Sequence, residues 1–464
     1  MNDRPSPFQP ARRSLLAFMA LAPVAGALAG CATSGGGSRP TAAASPTGAV
    51  DPANPFAVAS DAPVEVIVFD GGYGQAYIKL PVDLYKTKHP AAKITQTATQ
   101  QIQQTLQPRF VAKNPPDLVN NSGSNAIDYG SLVADKALLP LDPLLAAPSW
   151  SDPAVTVGDS LRPGVVQVGT HDGQFVVLNY SYGAYGAWYS ASLFEEKGWT
   201  YPKTWDGYLD LCENMATAGI APWTYPGQFP YYMFWWLASM IYKVGGQEVI
   251  DKINGFAADA WTDERTVTAL RAFEAIPANG WVLKGSSGLS HTDAQTQFLQ
   301  KKAGFVPCGS WLENEMGDSV PAGFDMSICR VPSITASDDR PFGALCAKAG
   351  EPYVVPRDAA NSAGGLEFLR GMLSNEGAEN FIAKAGTLSS NRNAKLPKDA
   401  KHGLVSIDDA LKEAGDNVFG VTVDTRDSRL WNDIANVMGR FMKGEVKADQ
   451  LAKEAQRLTD KARD

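Results

Sequence analysis

Apolar and polar positions follow a parallel-sheet rhythm early in the chain. Val64 to Phe69 (VEVIVF) is an apolar, β-rich run, as expected of a strand buried on both faces. A helix follows to about His89, and Lys93 to Thr99 alternates like a strand. Gln104 to Lys113 has helical spacing and stops at Asn114-Pro115-Pro116, and Asp117 to Asn120 predicts a third short strand. This β-α-β-α-β order predicts an open parallel sheet, whose ligands sit outside the carboxyl ends of the strands. Loops 70–75 and 120–125 fall there, which makes Tyr73, Gln75, Ser122 and Gly123 candidate ligand contacts. A dinucleotide fingerprint is excluded: Gly72-x-Gly74 follows a strand, but Tyr77 occupies the third glycine position.

Past Gly164 the pattern changes. Gln174 to Asn179 predicts a strand leading into an aromatic-rich loop, YSYGAYGAWYS, with five aromatics from Tyr180 to Tyr189. Of these, Tyr180 and Tyr182 are candidate contacts. Thr204 caps a helix from Trp205 to about Ala218, ended by Gly219, whose Tyr208, Leu211, Cys212 and Met215 share one face. The next stretch, WTYPGQFPYYMFWW, holds eight aromatics from Trp223 to Trp236. Phe234, Trp235 and Trp236 open an apolar helix and belong to the core. Gln228, Tyr231 and Tyr232 lie beside Pro226, Gly227 and Pro230 and are expected to face a cleft.

Gly304 to Glu315 (GFVPCGSWLENE) reads as a strand end, a turn at Cys308-Gly309, and a helix opened by a Ser310-x-x-Glu313 capping box. Trp311 then projects from the first helical position toward the cleft, and Asn314 follows on the same turn. Glu313 is accounted for by the cap. Aromatic faces combined with amides and carboxylates suit a sugar, whose C–H face packs on a ring while its hydroxyls need fixed partners.

Composition narrows the class. At 464 residues two lobes or domains are the natural expectation, and 44% hydrophobic with 19% charged residues is a globular balance. A formal charge of −8 argues against nucleic acid. Arg12-Arg13, the uncharged run Ser14 to Ala27, and Leu28-Ala29-Gly30-Cys31 form a signal peptide whose end resembles the lipobox of bacterial lipoproteins. Residues 1–31 are therefore expected to be a leader ending at a lipidated Cys31. Residues 32–60, rich in Ala, Gly, Ser, Thr and Pro, are expected to be a flexible tether. Apart from Cys31, four of the five cysteines remain. In an oxidising compartment they allow two disulfides, with Cys329–Cys346 expected first and Cys212–Cys308 by elimination.

NPPDLVNNSG at 114–123, DGQFVVLNY to WYSASLFEEKGW at 172–199, YPKTWDGYL at 201–209, FLQKKAGFVPCGSW at 298–311 and GGLEFLRGMLSNEGAENF at 364–381 together resemble the carbohydrate-binding lipoproteins of bacterial ABC importers, extracellular solute-binding family 1. GGYG at 71–74, LQPRFV at 106–111, NYSYGAYGAWYS and CGSWLENE are similar to the actinobacterial N-acetylglucosamine and diacetylchitobiose-binding subgroup in particular. The resemblance implies an α/β, two-lobed periplasmic-binding-protein-like fold, each lobe a mostly parallel sheet flanked by helices, with the ligand cleft between them. It places the first lobe at 62–170 plus 332–385 and the second at 171–331 plus 386–464. It implies a carbohydrate ligand, permease subunits of an ABC importer as membrane partners, no cofactor and no metal, and a monomer at the outer face of the membrane. Family site positions are matched here by Tyr73, Ser122, Tyr182, Trp311 and Glu351. One departure stands out: where the family often supplies an aromatic, this chain reads Val423-Asp424-Thr425-Arg426-Asp427. Arg426 there would change one subsite and keeps a charged ligand as an alternative.

A hydrolase is the main rival of another class. Glycosidases need two carboxylates across the bond, and only Glu313, Glu315 and Glu351 present themselves. His89, His171, His291 and His402 lie in separate polar stretches, and no G-x-S-x-G, H-E-x-x-H or P-loop occurs. The chain reads as a binding protein and not as an enzyme.

Overall fold

The computed structural model describes residues 48–71, 73–123 and 125–463. The expected leader and Cys31 lie outside the described residues. The expected tether reaches them only in part, and that part is packed. Val58 is buried, the Asn54 side-chain amide donates to the Val58 carbonyl and accepts from its N–H, and Lys88 and Arg370 both donate to the Ala53 carbonyl. The last part of the expected tether thus bonds to the body at Ala53, whose carbonyl accepts from Lys88 and Arg370.

One ten-stranded sheet runs through the molecule. Its strands are β1 (Val64–Phe69), β2 (Ile94–Thr99), β3 (Leu118–Asn120), β4 (Leu178–Ser190), β5 (Ala221–Trp223), β6 (Ala303–Gly309), β7 (Met326–Ile328), β8 (Leu345–Val354), β9 (Leu388–Ser389) and β10 (Val418–Phe419). The order is β2-β1-β3-β8-β4-β6-β5, with β7 and β9 also on β4 and β10 on β8. β1 pairs parallel with β2 and β3, and β5 pairs parallel with β6. The parallel sets at the two ends are the sheets of two lobes. Between them β4 and β8 run antiparallel and join the lobes.

Helices Lys79–Lys88 and Ile102–Val111 connect the first three strands, as the sequence predicts. Asp117 ties this lobe by accepting from the Glu65 and Asn361 amides, and Arg109 grips Glu65 through two bonds. Trp205–Thr217 is a helix capped by Thr204, and its Tyr208, Leu211, Cys212 and Met215 are buried, also as predicted. With Trp223, Trp236, Phe273, Phe305 and Phe441 they form the core of the second lobe.

Three expectations are corrected. First, YSYGAYGAWYS is not a loop but most of β4, which pairs antiparallel with β8 on one side and β6 on the other. Second, the chain crosses between lobes within β4 and β8, not at 170/171 and 331/332. Ser333 bridges Thr204 and the Arg340 amide bonds the Lys243 carbonyl, both in the second lobe, whereas Ser390 and Arg392 bond Arg162 and Ser160 in the first. Third, Cys212, Cys308, Cys329 and Cys346 are all free and buried. Cys308 packs in a different core from the other three. Cys329 faces Tyr201, and Cys346 faces Lys348 and Asp424.

Candidate binding site

The register of β4 against β8 decides what lines the cleft. Lys348 lies opposite Gly183, Gly350 opposite Ser181 and Cys346 opposite Tyr185. Side chains alternate faces along a strand, so Ser181, Gly183 and Tyr185 form one surface with Lys348 and Cys346. Tyr180 and Tyr182 take the other. Their hydroxyls donate to backbone carbonyls, Tyr180 to Met372 at 2.8 Å and Tyr182 to Pro163 at 2.9 Å, and both rings are buried. Both are therefore core residues, contrary to the expectation that they contact ligand.

The second-lobe wall rises from β6. The chain leaves Gly309 and turns at Ser310, and the ring of Trp311 folds back over Gly309, where a Cβ would collide with it. Trp311 itself occupies the N-cap of the short helix Leu312–Met316, with no side-chain cap. The capping box is not formed. Glu313 instead accepts from the Gly403 amide at 3.2 Å, at the start of helix His402–Ala414, where a carboxylate suits the exposed N–H groups. The S-x-x-D box that does form is Ser290–Asp293.

Trp311 is half-buried and stands edge-on to Tyr185 and Trp235, with ring centres 5.6 Å away in each case. Tyr232 meets the same ring at 6.5 Å. Helix Tyr231–Asn254 supplies Tyr231, Tyr232 and Trp235, and Tyr231 reaches Trp431 at 5.8 Å. Beside these rings a pocket is lined by Tyr185, Trp235, Cys346, Lys348, Val421, Asp424 and Trp431.

The first-lobe wall is polar. Gly71 and Gly123 approach each other across the ring of Phe69, which leaves no room for a Cβ at either. Gly123 also has φ +85°, so glycine is required there for two reasons. Ser122 donates to the Glu351 carboxylate at 3.1 Å. Glu351 has φ 55°, left-handed for a non-glycine residue within β8, a strain that the surrounding sheet must hold. Burial raises its pKa despite the hydrogen bonds from Ser122 and Asn120. Tyr73 stands edge-on to Phe381 at 5.8 Å and faces Ser181, Thr387 and Glu351, and burial raises its phenol. The hydroxyl of Thr387 is buried without a partner among the described residues.

The structure thus brings together Tyr73, Ser122 and Glu351 on one wall and Trp311, Tyr231 and Tyr232 on the other. The remaining candidates are engaged elsewhere. Gln75 is exposed beside Gln96, and Gln228 donates to the Gly288 carbonyl. Arg426 lies over Phe256 and bonds the Asn254 carbonyl. Asn314 donates to the Ala385 carbonyl at 3.4 Å and so links the two lobes. Sequence reasoning missed Tyr185, Trp235, Trp431, Lys348 and Asp424. For Tyr185 a signal was available, since it shares strand parity with Ser181 and Gly183.

A sheet continuous through two lobes, with facing polar and aromatic walls at the crossing strands, defines a two-lobed receptor that binds a small solute in a cleft. Residues 71–379 match the family described as bacterial extracellular solute-binding protein, and the chain belongs to that family. It is 33% identical over 430 residues to the diacetylchitobiose-binding protein NgcE of Streptomyces coelicolor, covering 90% of this chain and 89% of that one. Among solved structures it resembles the apo form of RafE from Streptococcus pneumoniae, with TM-score 0.69, 15% identity, and coverage of 87% and 98%. It also resembles a chitin oligosaccharide binding protein, with TM-score 0.62, 17% identity, and coverage of 87% and 99%. Among the described residues no helix is long and apolar enough to cross a membrane.

Proposed function

We propose that this protein captures an uncharged saccharide, N-acetylglucosamine or diacetylchitobiose, outside the cytoplasm and delivers it to the permease of an ABC importer. Trp311 serves as the stacking platform for a sugar ring, with Tyr185, Tyr232 and Trp235 holding it in place. Ser122, Glu351 and Tyr73 bond hydroxyls from the opposite wall, and the lobes close as a hinge about β4 and β8. The leader and lipidated Cys31 anchor the body at the outer face of the membrane, where it acts as a monomer and turns nothing over.

The observation that carries this reading is the edge-on packing of Tyr185, Tyr232 and Trp235 around Trp311, which fixes an amphipathic ring at the cleft at low entropic cost. The name of the relative in Streptomyces coelicolor supports the choice of sugar. The charged-ligand alternative loses its support, because Arg426 is engaged with Asn254 and Phe256. Calorimetric titration against a small glycan panel tests the ligand. Saturable heat with N-acetylglucosamine or diacetylchitobiose is expected. Heat from an unrelated glycan alone overturns the sugar assignment, and release of shorter products from a chito-oligomer overturns the transport role.

A further inference from the structure

Residues 48–58 form a strap with its own turns. Asp51 Oδ1 accepts from the Ala53 and Asn54 amides at 2.7 and 2.9 Å, and the Gly48 amide donates to the Ala57 carbonyl at 3.0 Å. The Asn54 side chain locks onto the Val58 backbone, and the Val58 side chain joins the apolar core that holds β1, with Phe56 packed against the same core. Pro52 and Pro55 restrict the backbone between these bonds. Residues 32–47 contain no Asp, Asn or aromatic residue, so the strap coincides with a change of composition inside the expected tether.

The first lobe supplies a socket for this strap. Glu367 and Arg370 lie one turn apart on helix Ser362–Met372 and form a doubly bonded ion pair, at 2.6 and 2.7 Å, whose side chains are 0% and 1% exposed. Two further N–H groups of the Arg370 guanidinium donate to the Pro148 and Ala53 carbonyls, at 3.2 and 2.9 Å. Lys88, at the end of helix Lys79–Lys88, donates to the same Ala53 carbonyl at 3.1 Å. Trp150 backs both cations, with Lys88 Nζ 3.9 Å and the Arg370 guanidinium 4.9 Å from its ring centre. A buried ion pair is costly to desolvate and persists where its remaining donors are satisfied. Two cations against Glu367 leave donors over, and a peptide carbonyl is a neutral acceptor that both can share. The strap delivers that carbonyl.

We propose that Lys88, Trp150, Glu367 and Arg370 are a clasp that fastens the N-terminal arm of the protein to the first lobe. Both side chains that donate to the strap, Lys88 and Arg370, belong to that lobe. Strap and first lobe therefore move as one body, and the second lobe is the one left to swing about β4 and β8. On the lipid-anchored reading above, on which this consequence rests, only residues 32–47 remain between Cys31 and the strap. That arm spans at most about 55 Å fully extended, against about 100 Å for residues 32–60. The clasp thus roughly halves the reach of the anchor and passes its pull to the first lobe.

Hydrogen exchange read by mass spectrometry tests the clasp, on the protein expressed from residue 1 and purified from its membrane fraction. In wild type the strap amides of Ala53, Asn54, Ala57 and Val58 are expected to exchange at least about tenfold more slowly than in a free peptide of residues 48–60. The double variant Lys88→Met/Trp150→Ala is expected to speed strap exchange at least about tenfold, while helix Ser362–Met372 stays slow. Lys88→Met alone changes a partly exposed side chain and keeps the test decisive if the double variant fails to fold. It is expected to speed strap exchange about fivefold, the worth of one net hydrogen bond. Wild-type strap amides that exchange as fast as the free peptide overturn the clasp, and so do folded variants whose strap exchanges as in wild type. The intact mass of the same sample reads the anchor separately. A Cys31 without lipid overturns the anchored reading and its consequence for reach, and leaves the clasp standing.

Discussion

The first-lobe wall of the cleft offers a carboxylate, a hydroxyl and a phenol from Glu351, Ser122 and Tyr73, whereas the second offers Trp311, Trp235, Tyr232 and Tyr185. The polar wall is built under constraint: Glu351 holds a left-handed backbone, and Gly71 and Gly123 close over Phe69 only because they lack a Cβ. The aromatic wall is built by packing, each ring held edge-on by the next. The difference assigns the work. On the proposed sugar-binding reading, area and stacking on the second wall supply most of the affinity, while the first wall supplies orientation through hydrogen bonds that exchange with water.

Four measurements break or sharpen that division. Trp311→Ala removes the platform and should cost about 2–3 kcal/mol of binding, roughly 30- to 150-fold in Kd by titration, in a protein that melts at a lower temperature but still unfolds cooperatively. Glu351→Gln keeps the shape and removes the charge, and should cost about 1.5 kcal/mol of binding; a loss equal to that of Trp311→Ala would contradict the division. Tyr180→Phe should lower stability by about 1 kcal/mol in denaturant unfolding, because its hydroxyl bonds buried carbonyls, yet leave sugar affinity unchanged. A large loss of affinity there would mean that the wrong face of β4 has been assigned to the cleft.

The smallest effect concerns pH. Burial raises the Glu351 pKa, so the folded protein holds this proton more tightly than the unfolded chain. Stability contributed by the protonated carboxyl is present at low pH and declines as pH rises from the ordinary glutamate value through the raised one. Thermal melts across that window should show a shallower decline in Glu351→Gln than in wild type.

How much of this was legible in the sequence follows from the range of each signal. β1 to β3 and the helix capped by Thr204 are local patterns, an apolar run or a hydroxyl before a helix, and they read directly. β4 shows where local reading ends. Counting aromatics singled out Tyr180 and Tyr182, but the face they take depends on register with β8, and a one-residue shift reverses every side chain. The Ser310-x-x-Glu313 pattern was real, yet helix His402–Ala414 brings its own unpaired amide to Glu313 and wins the carboxylate. Lys348 had no local signal and the charged stretch 423–427 pointed to Arg426 instead of Asp424, because the Lys348–Asp424 pairing exists only once β10 and the turn after it fold against β8. Trp311 was legible because strand, turn and ring are consecutive.

The most direct test sets wild type and Trp311→Ala side by side in calorimetric titration with diacetylchitobiose. The aromatic-wall account predicts a saturable heat in wild type that collapses in the variant while both proteins still unfold cooperatively. Equal affinities in two folded proteins would contradict it.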